Sequence, residues 1–373
     1  MFNVSLFNGQ QSNSQRRSGS TEAKMATNNP LEKTYGASAA KVSSVVYPIA
    51  GILTTVYGLE ELPSDVKEIA VLWLLHPRLQ VQASMAPIGA QSIHQWNGRR
   101  GNTKKGLIAV SFDQRNHGSR LVDKLANEAW RQGNRRHAQD MYSVYHGTAM
   151  DTSLLLTHLP SYLPSHLPEP SEHLVLGISL GGHAAWHCLL QEPRITTGVV
   201  IIGCPDFTRL MLQRAEKSRL KTFGPDFVGS TDFPPALVQA VRQTDPAGLL
   251  LPEEMKAPAQ VTDVTPFNVA KEYISNVLKF TLEGKKIMNL SGGADKLVPY
   301  AQSETFMKFL KGAINPEKGW WKNNGVVLDD RIYDGVGHEC TSDMANDAIR
   351  FVGDVLAGDV SQKERSTSRD SKI

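Results

Sequence analysis

The stretch "HLVLGISLGGHAAWHCLLQ", His173 to Gln191, runs from an unbroken apolar segment through a glycine-flanked serine into an alanine- and leucine-rich segment. An apolar run without alternation is the pattern of a strand covered on both faces of a parallel sheet. A strand that passes directly into a helix is one half of a βαβ unit. Between them stands Gly177-Ile178-Ser179-Leu180-Gly181, a GxSxG string. Such a string arises by accident in roughly one chain of this length in six to ten, so its context has to carry the argument. A strand-to-helix turn this tight strains the serine backbone, and glycines two residues to either side keep neighbouring atoms from clashing. It also sets Ser179 at a helix N-terminus, where the dipole favours developing negative charge. The plainer reading of Ser179 is an N-cap; the glycine pair favours a nucleophile.

Outward from this unit, further strands are expected at Glu68–Leu75, Gly106–Phe112, Gly198–Cys204, Lys285–Ser291 and Val326–Asp334. Helices are expected at Asn134–Leu159, Gly181–Gln191, Ala301–Lys311 and Asp343–Leu356. The alternation predicts an α/β fold, a mostly parallel central sheet flanked by helices. The uncharged stretch Val42–Leu59 approaches membrane-spanning length, but its β-branched residues fall in two short runs around "PIAG". Two strands joined by a turn fit it better than a span. From Thr208 to Gly284 the rhythm breaks into helical pieces separated by prolines, which reads as a lid insertion (about 208–284) over the carboxyl end of the sheet. Residues 1–36 are rich in Asn, Gln, Ser and Gly, the composition of a disordered leader within which Met25 is a second candidate start. Residues 37–358 form the folded domain, and 359–373 a polar tail.

The 373 residues are 40% hydrophobic and carry a net charge of +3 from 40 basic and 37 acidic side chains. No basic run interleaved with aromatics is present, which excludes nucleic acid as the expected partner. Cys188, Cys204 and Cys340 make neither a disulfide framework nor a zinc spacing, so a reducing intracellular compartment with no metal is expected. The N-terminus has no apolar core of a secretory signal.

A serine hydroxyl needs a base to take its proton, and the base needs an acid to orient it. Asp295, in "SGGADKLVP" just past the strand "KKIMNLS", and His338, in "YDGVGHECT" past the last strand, follow Ser179 in the order acid then histidine. Asp206, after "GVVIIGC", is the rival acid, with a turn or cap as its alternative role. Asp329 and Asp330 fall within a strand and suit a solvent face. An oxyanion hole takes the N–H of the residue after the nucleophile, Leu180, and one from the loop "LLHPRLQ". Pro77 has none to give, so Arg78 is the expected donor and Leu79 the fallback. His76 reads as a structural loop residue. His117, in "DQRNHGSR", has no ligand partner at useful spacing and reads as part of a turn.

With these motifs in place the chain resembles the α/β-hydrolase superfamily: "GISLGG", "SGGADKLVP" and "GVGHE" match its nucleophile elbow, acid loop and histidine loop over about residues 40–358. "DQRNHGSR" resembles the superfamily's D-x-R-x-H-G turn, with Asn116 where glycine is usual, a change that left-handed backbone geometry tolerates. More narrowly, "FDQRNHGSR", "LANEAW", "HAQDMYSVYHGTAMD" and "GISLGGHAAWH" are similar to intracellular fungal α/β-hydrolases associated with secondary-metabolite and host-selective toxin pathways. That resemblance implies a hydrolase of a small or fatty-acid-like ester, without a cofactor. The C-terminal Ser371-Lys372-Ile373 differs conservatively from the peroxisomal address S-K-L, so a peroxisomal import receptor is an expected partner, with the cytosol as the alternative location.

The expected function is a serine hydrolase of a carboxylic ester or acyl thioester. Ser179 serves as nucleophile, His338 as base, Asp295 as its orienting acid, and the N–H groups of Leu180 and Arg78 as oxyanion donors. A serine in place of aspartate argues against the epoxide-hydrolase and dehalogenase mechanisms. The alternative from another class is a ligand-binding protein that keeps the fold without turnover, motivated by the proline in the oxyanion loop and by the unassigned lid.

Overall fold

The computed structural model describes residues 29–35, 41–99, 104–256 and 267–360. The chain opens with the hairpin β1 (Ser44–Ile49) and β2 (Ile52–Tyr57). Its turn residues Ala50 and Gly51 both have positive φ, 50° and 79°, the geometry a two-residue hairpin requires. The α/β core follows: β3 (Glu68–Leu75), α1 (Ala86–Asn97), β4 (Lys105–Phe112), α2 (His137–His158), β5 (Pro170–Ile178), α3 (Leu180–Gln191) and β6 (Ile195–Ile201). Then come α4 (Phe207–Ser218), α5 (Pro235–Thr244), the short α6 (Pro246–Leu250) and α7 (Phe267–Thr281), all between β6 and β7 (Lys286–Gly292). The order ends with α8 (Tyr300–Ile314), β8 (Val327–Tyr333) and α9 (Ser342–Leu356).

The strands form one sheet in the order β1-β2-β4-β3-β5-β6-β7-β8. β1 and β2 pair antiparallel, β2 meets β4 antiparallel, and every pairing from β4 to β8 is parallel. This is the α/β-hydrolase fold.

The two-residue period of a strand explains why the core strands read as continuous apolar runs. Along β3, Ile69, Val71, Trp73 and Leu75 join one apolar layer, while Ala70, Leu72 and Leu74 join the other. The first layer packs under α2 and α3, where Tyr145 and Trp186 are buried. The second packs under α1 and α9, through Ile88, Ile93, Phe351 and Val352. Truncating a ring such as Trp186 to alanine in so closed a layer costs about 3–5 kcal/mol.

Because β3, β5, β7 and β8 run parallel, the loops that follow them open on one rim of the sheet. Those loops carry Arg78, Ser179, Asp295 and His338. The hydrophobic runs located the strands to within a few residues, whereas α1 was not anticipated. The stretch assigned to a lid consists, among the described residues, of α4 to α7.

Residues 29–35, inside the expected leader, form a turn packed on the histidine loop, with Leu31 and Thr34 buried. Cys340 N–H donates to the Pro30 carbonyl at 2.8 Å and Thr34 Oγ donates to the Cys340 carbonyl at 2.5 Å, which a leader without partners would not do. Asp329 and Asp330 do not face solvent. Asp330 accepts from Asn289 Nδ2 and Tyr300 OH and pairs with Lys311, while Asp329 pairs with Arg331, so ion pairs hold both carboxylates at the β8 edge. Met25 and the tripeptide Ser371-Lys372-Ile373 lie outside the described residues. Among the described residues no helix is long and apolar enough to cross a membrane.

Candidate active site

The site starts from the turn between β5 and α3. Ser179 has φ 56° and ψ −113°, a conformation that non-glycine residues rarely adopt. Its N–H donates to the Ile201 carbonyl at 2.9 Å, and its carbonyl accepts from His183 N–H at 3.0 Å to begin the helix. These two bonds hold the strained residue between sheet and helix. The glycines explain how the turn closes: a Cβ on Gly177 would overlap the Gly181 carbonyl, and one on Gly181 would overlap the Leu75 carbonyl. The Ser179 side chain makes no cap bond to the helix and is directed elsewhere.

It is directed at His338. Ser179 Oγ lies 2.8 Å from His338 Nε2, and His338 Nδ1 lies 2.7 Å from Asp295 Oδ2. The second oxygen, Asp295 Oδ1, accepts from the N–H groups of Leu297 at 2.8 Å and Val298 at 2.9 Å. Burial by itself would raise the Asp295 carboxyl, but the hydrogen bond and charge of His338 and the two amides outweigh it and hold the group below the usual carboxylate range. An ionised Asp295 fixes the Nδ1–H tautomer, leaving Nε2 with a lone pair facing Oγ. The three expected residues, far apart in sequence, are thus one hydrogen-bonded chain.

The rival Asp206 is engaged otherwise. It caps α4, its Oδ1 accepting from Arg209 N–H at 2.9 Å and its Oδ2 lying 3.0 Å from Arg209 Nε. Burial raises its pKa to about 6 against the pull of Arg209.

The loop after β3 is held by an unusual lock. His76 is fully buried, its Nδ1 donating to the Pro77 carbonyl at 2.8 Å while its Nε2 accepts from Gln114 N–H at 3.0 Å. The Gln114 amide in turn donates to the His76 carbonyl. Burial pushes His76 down to about 4, so the ring stays neutral and serves as a fixed donor–acceptor bridge. The lock places Pro77 and Arg78 next to the elbow: Arg78 and Leu180 line one small cavity. The Leu180 N–H stands in the first turn of α3, where no helix carbonyl can reach it. Leu79, the fallback donor, has φ 63°, and its side chain is exposed.

The "DQRNHGSR" segment buttresses this loop. Asp113 accepts from the N–H groups of Gln82 and Ser119 and from the Ser119 hydroxyl, all at 2.8 Å. Asn116 adopts φ 59°, the left-handed geometry expected where glycine is usual. Arg115 and Arg120 both pair with Asp151 of α2. His117 packs edge-on to His76 at 5.4 Å between ring centroids.

Sequence reading missed His137 and Arg214. Arg214 Nη1, on α4, donates to His137 Nε2 of α2 at 3.1 Å and to Met141 Sδ at 2.9 Å, tying the insertion to the core beside the site. No local signal marks this pair, whose members are brought together only by tertiary packing. A cavity of about 340 Å³ lies among α4, α5 and α6, lined by Thr208, Phe233, Val238, Val241 and Leu251. None of Ser179, Asp295 and His338 lines it. Among the described residues no group of three or more His, Cys, Asp or Glu side chains is placed to hold a metal ion.

No family model matches the chain, and no curated protein matches it in sequence. Solved structures do resemble it. A Thermus thermophilus protein, TT1662, has a TM-score of 0.48 at 17% identity over 85% of this chain and 98% of its own. 2,6-Dihydroxy-pseudo-oxynicotine hydrolase has a TM-score of 0.44 at 16% identity over 86% and 70%. A Mycobacterium tuberculosis puromycin-hydrolysing peptidase has a TM-score of 0.43 at 13% identity over 85% of this chain, which spans only 39% of that protein. Likenesses this distant concern chain course alone.

Proposed function

We propose that the protein is a serine hydrolase that cleaves a carboxylic ester or acyl thioester through an acyl-enzyme. The observation that carries this reading is the unbroken chain from Ser179 Oγ through His338 to Asp295, at 2.8 and 2.7 Å, with the serine held in a strained turn. A serine serving only as a helix cap would bond its own helix.

His338 Nε2 takes the Ser179 proton as Oγ attacks the carbonyl carbon. The carbonyl oxygen becomes an oxyanion, held by the N–H groups of Leu180 and Arg78. The tetrahedral intermediate then collapses, the bond to the alcohol or thiol breaks, and His338 gives that leaving group its proton. Water next attacks the acyl-enzyme and passes a proton to His338, and the acid leaves as the proton returns to Ser179. Asp295 stays ionised throughout and stabilises the imidazolium.

The motif resemblance to fungal secondary-metabolite hydrolases supports a pathway-specific small ester as the substrate. Ser371-Lys372-Ile373 supports peroxisomal import, a setting that an acyl thioester substrate would suit. The test is hydrolysis of an oxygen ester and its thioester at matched chain length by the wild type and by Ser179→Ala. Turnover of at least one, lost on substitution, supports the reading. Equal rates for the two proteins contradict it, and turnover of the oxygen ester alone removes the thioester variant.

A further inference from the structure

Two arginines flank the site without an acidic partner. Arg78 donates Nη1 to the Asn127 carbonyl at 2.7 Å. Arg214 donates Nη1 to His137 and Met141, reaches the Leu297 carbonyl with Nη2 at 3.5 Å, and has Nε enclosed with no partner. Among the described residues no Asp or Glu oxygen lies within 4.0 Å of either guanidinium. This contrasts with Arg115, Arg120, Arg194 and Arg331, each of which has its carboxylate.

The two charges feel each other. Burial pushes Arg214 down to about 9, with repulsion from Arg78 the next cause, and burial also lowers Arg78. His137, bonded to Arg214, is held neutral first by burial and then by both arginines. The anions acting at longer range are Glu128 on Arg78 and Asp295 on Arg214, and Asp295 is already committed to His338. A partly buried guanidinium bonded to neutral acceptors is incompletely compensated, and an incoming anion completes it with charge-assisted bonds.

Arg78, His117, Asn127, His137, Met141 and Leu180 line a cavity of about 10 Å³, room for about one water. Leu180, the residue that follows Ser179, also lines it, so the cavity adjoins the strand-to-helix turn. Met141 and the Arg78 stem are its flexible walls, the parts that would move to admit a ligand group. His117 donates Nδ1 to the Arg115 carbonyl and leaves Nε2 enclosed without a partner. An anion alongside favours its protonation and turns that acceptor into a further donor.

We propose that Arg78 and Arg214 recognise a carboxylate or phosphate group carried by the substrate close to its scissile carbonyl. The proposal rests on the hydrolase reading for its position in the reaction, but anion binding is measurable without turnover. The experiment is calorimetric titration of the Ser179→Ala protein with sodium succinate, with sodium phosphate and with neutral succinamide at constant ionic strength. Saturable binding of either anion is expected, with none for succinamide. Preference between the two anions identifies the group. Arg214→Gln in the same background should weaken anion binding at least tenfold, and Arg214→Lys should restore part of it; if Arg214→Gln does not fold, Arg78→Gln carries the same expectation.

In active protein, kcat/KM for a dicarboxylic acid monoester should exceed that for the neutral ester of equal length at least tenfold. Arg214→Gln should lose this preference chiefly through KM. Equal behaviour of anionic and neutral ligands towards folded Ser179→Ala protein, or a preference untouched by the arginine substitutions, overturns the proposal. Anion binding by a wild type that hydrolyses nothing would instead overturn the hydrolase reading and leave the anion site standing.

Discussion

Asp295 meets His338 through a 2.7 Å bond from Nδ1 to Oδ2, while its other oxygen is occupied by the amides of Leu297 and Val298. The carboxylate is fixed on both sides, so the imidazole it holds has one orientation and one tautomer. Asp206, the other candidate acid, spends its two oxygens on Arg209.

Replacing Asp295 with Asn keeps the shape but allows the amide to favour the wrong tautomer. Esterase kcat should fall by roughly 10³–10⁴ with little change in KM. Asp206→Asn should leave kcat within a few-fold of the wild type, and comparable losses in both variants would show that the acid has been misassigned.

Asp206 also predicts a pH effect on stability. Its folded-state pKa of about 6 stands above the ordinary 3.8, because burial opposes ionisation and the charge on Arg209 only partly offsets it. A raised carboxyl contributes stability below its unfolded pKa and loses it as pH climbs through the folded value. At pH 7 the Asp206→Asn protein, which keeps an oxygen to cap Arg209 N–H, should therefore be more stable by roughly 1–3 kcal/mol. The advantage should shrink towards pH 4, as measured by denaturant unfolding across that range. Asp245, buried nearby and raised by burial and then by Asp206, acts in the same direction.

The backbone of Ser179 stores strain. With φ at 56° and ψ at −113°, glycine is the residue best suited to the position. Ser179→Gly should unfold at a higher temperature than Ser179→Ala, by the equivalent of about 1–2 kcal/mol, although both lack the nucleophile. Identical melting curves would mean that the turn is relaxed.

The turn at residues 29–35 leans on the histidine loop through Pro30 and Thr34, with Lys33 also 3.3 Å from Glu339. Leu31→Ala together with Thr34→Ala should speed hydrogen exchange at Cys340 N–H and lower kcat several-fold, because His338 lies two residues away. Unchanged exchange at Cys340 would show that the segment is not a support.

The sheet was legible because two-sided burial writes continuous apolar runs such as "AVLWLL" and "LVLGI", and strand order then brought Ser179, Asp295 and His338 to one rim. Helix α1 was not legible. It has no side-chain cap at its start and sets Gly89 under Leu74 for close packing, so its local propensity is weak and tertiary contact decides it. Asp330 was misread because an alternating strand residue shows nothing of Tyr300 and Lys311 arriving from α8. Arg214 and His137 were missed for the same reason: a bond between two helices of different layers leaves no spacing in the chain. His76 was read as a structural loop residue, and its full burial and its bonds to Pro77 and Gln114 agree with that.

The most direct test of the central claim is covalent labelling with a fluorophosphonate probe, read by intact mass on the wild type, Ser179→Ala and His338→Ala. The account predicts one probe per wild-type chain, none on Ser179→Ala, and labelling slowed by orders of magnitude on His338→Ala. A folded wild type that takes up no probe, or equal labelling of all three proteins, would contradict it.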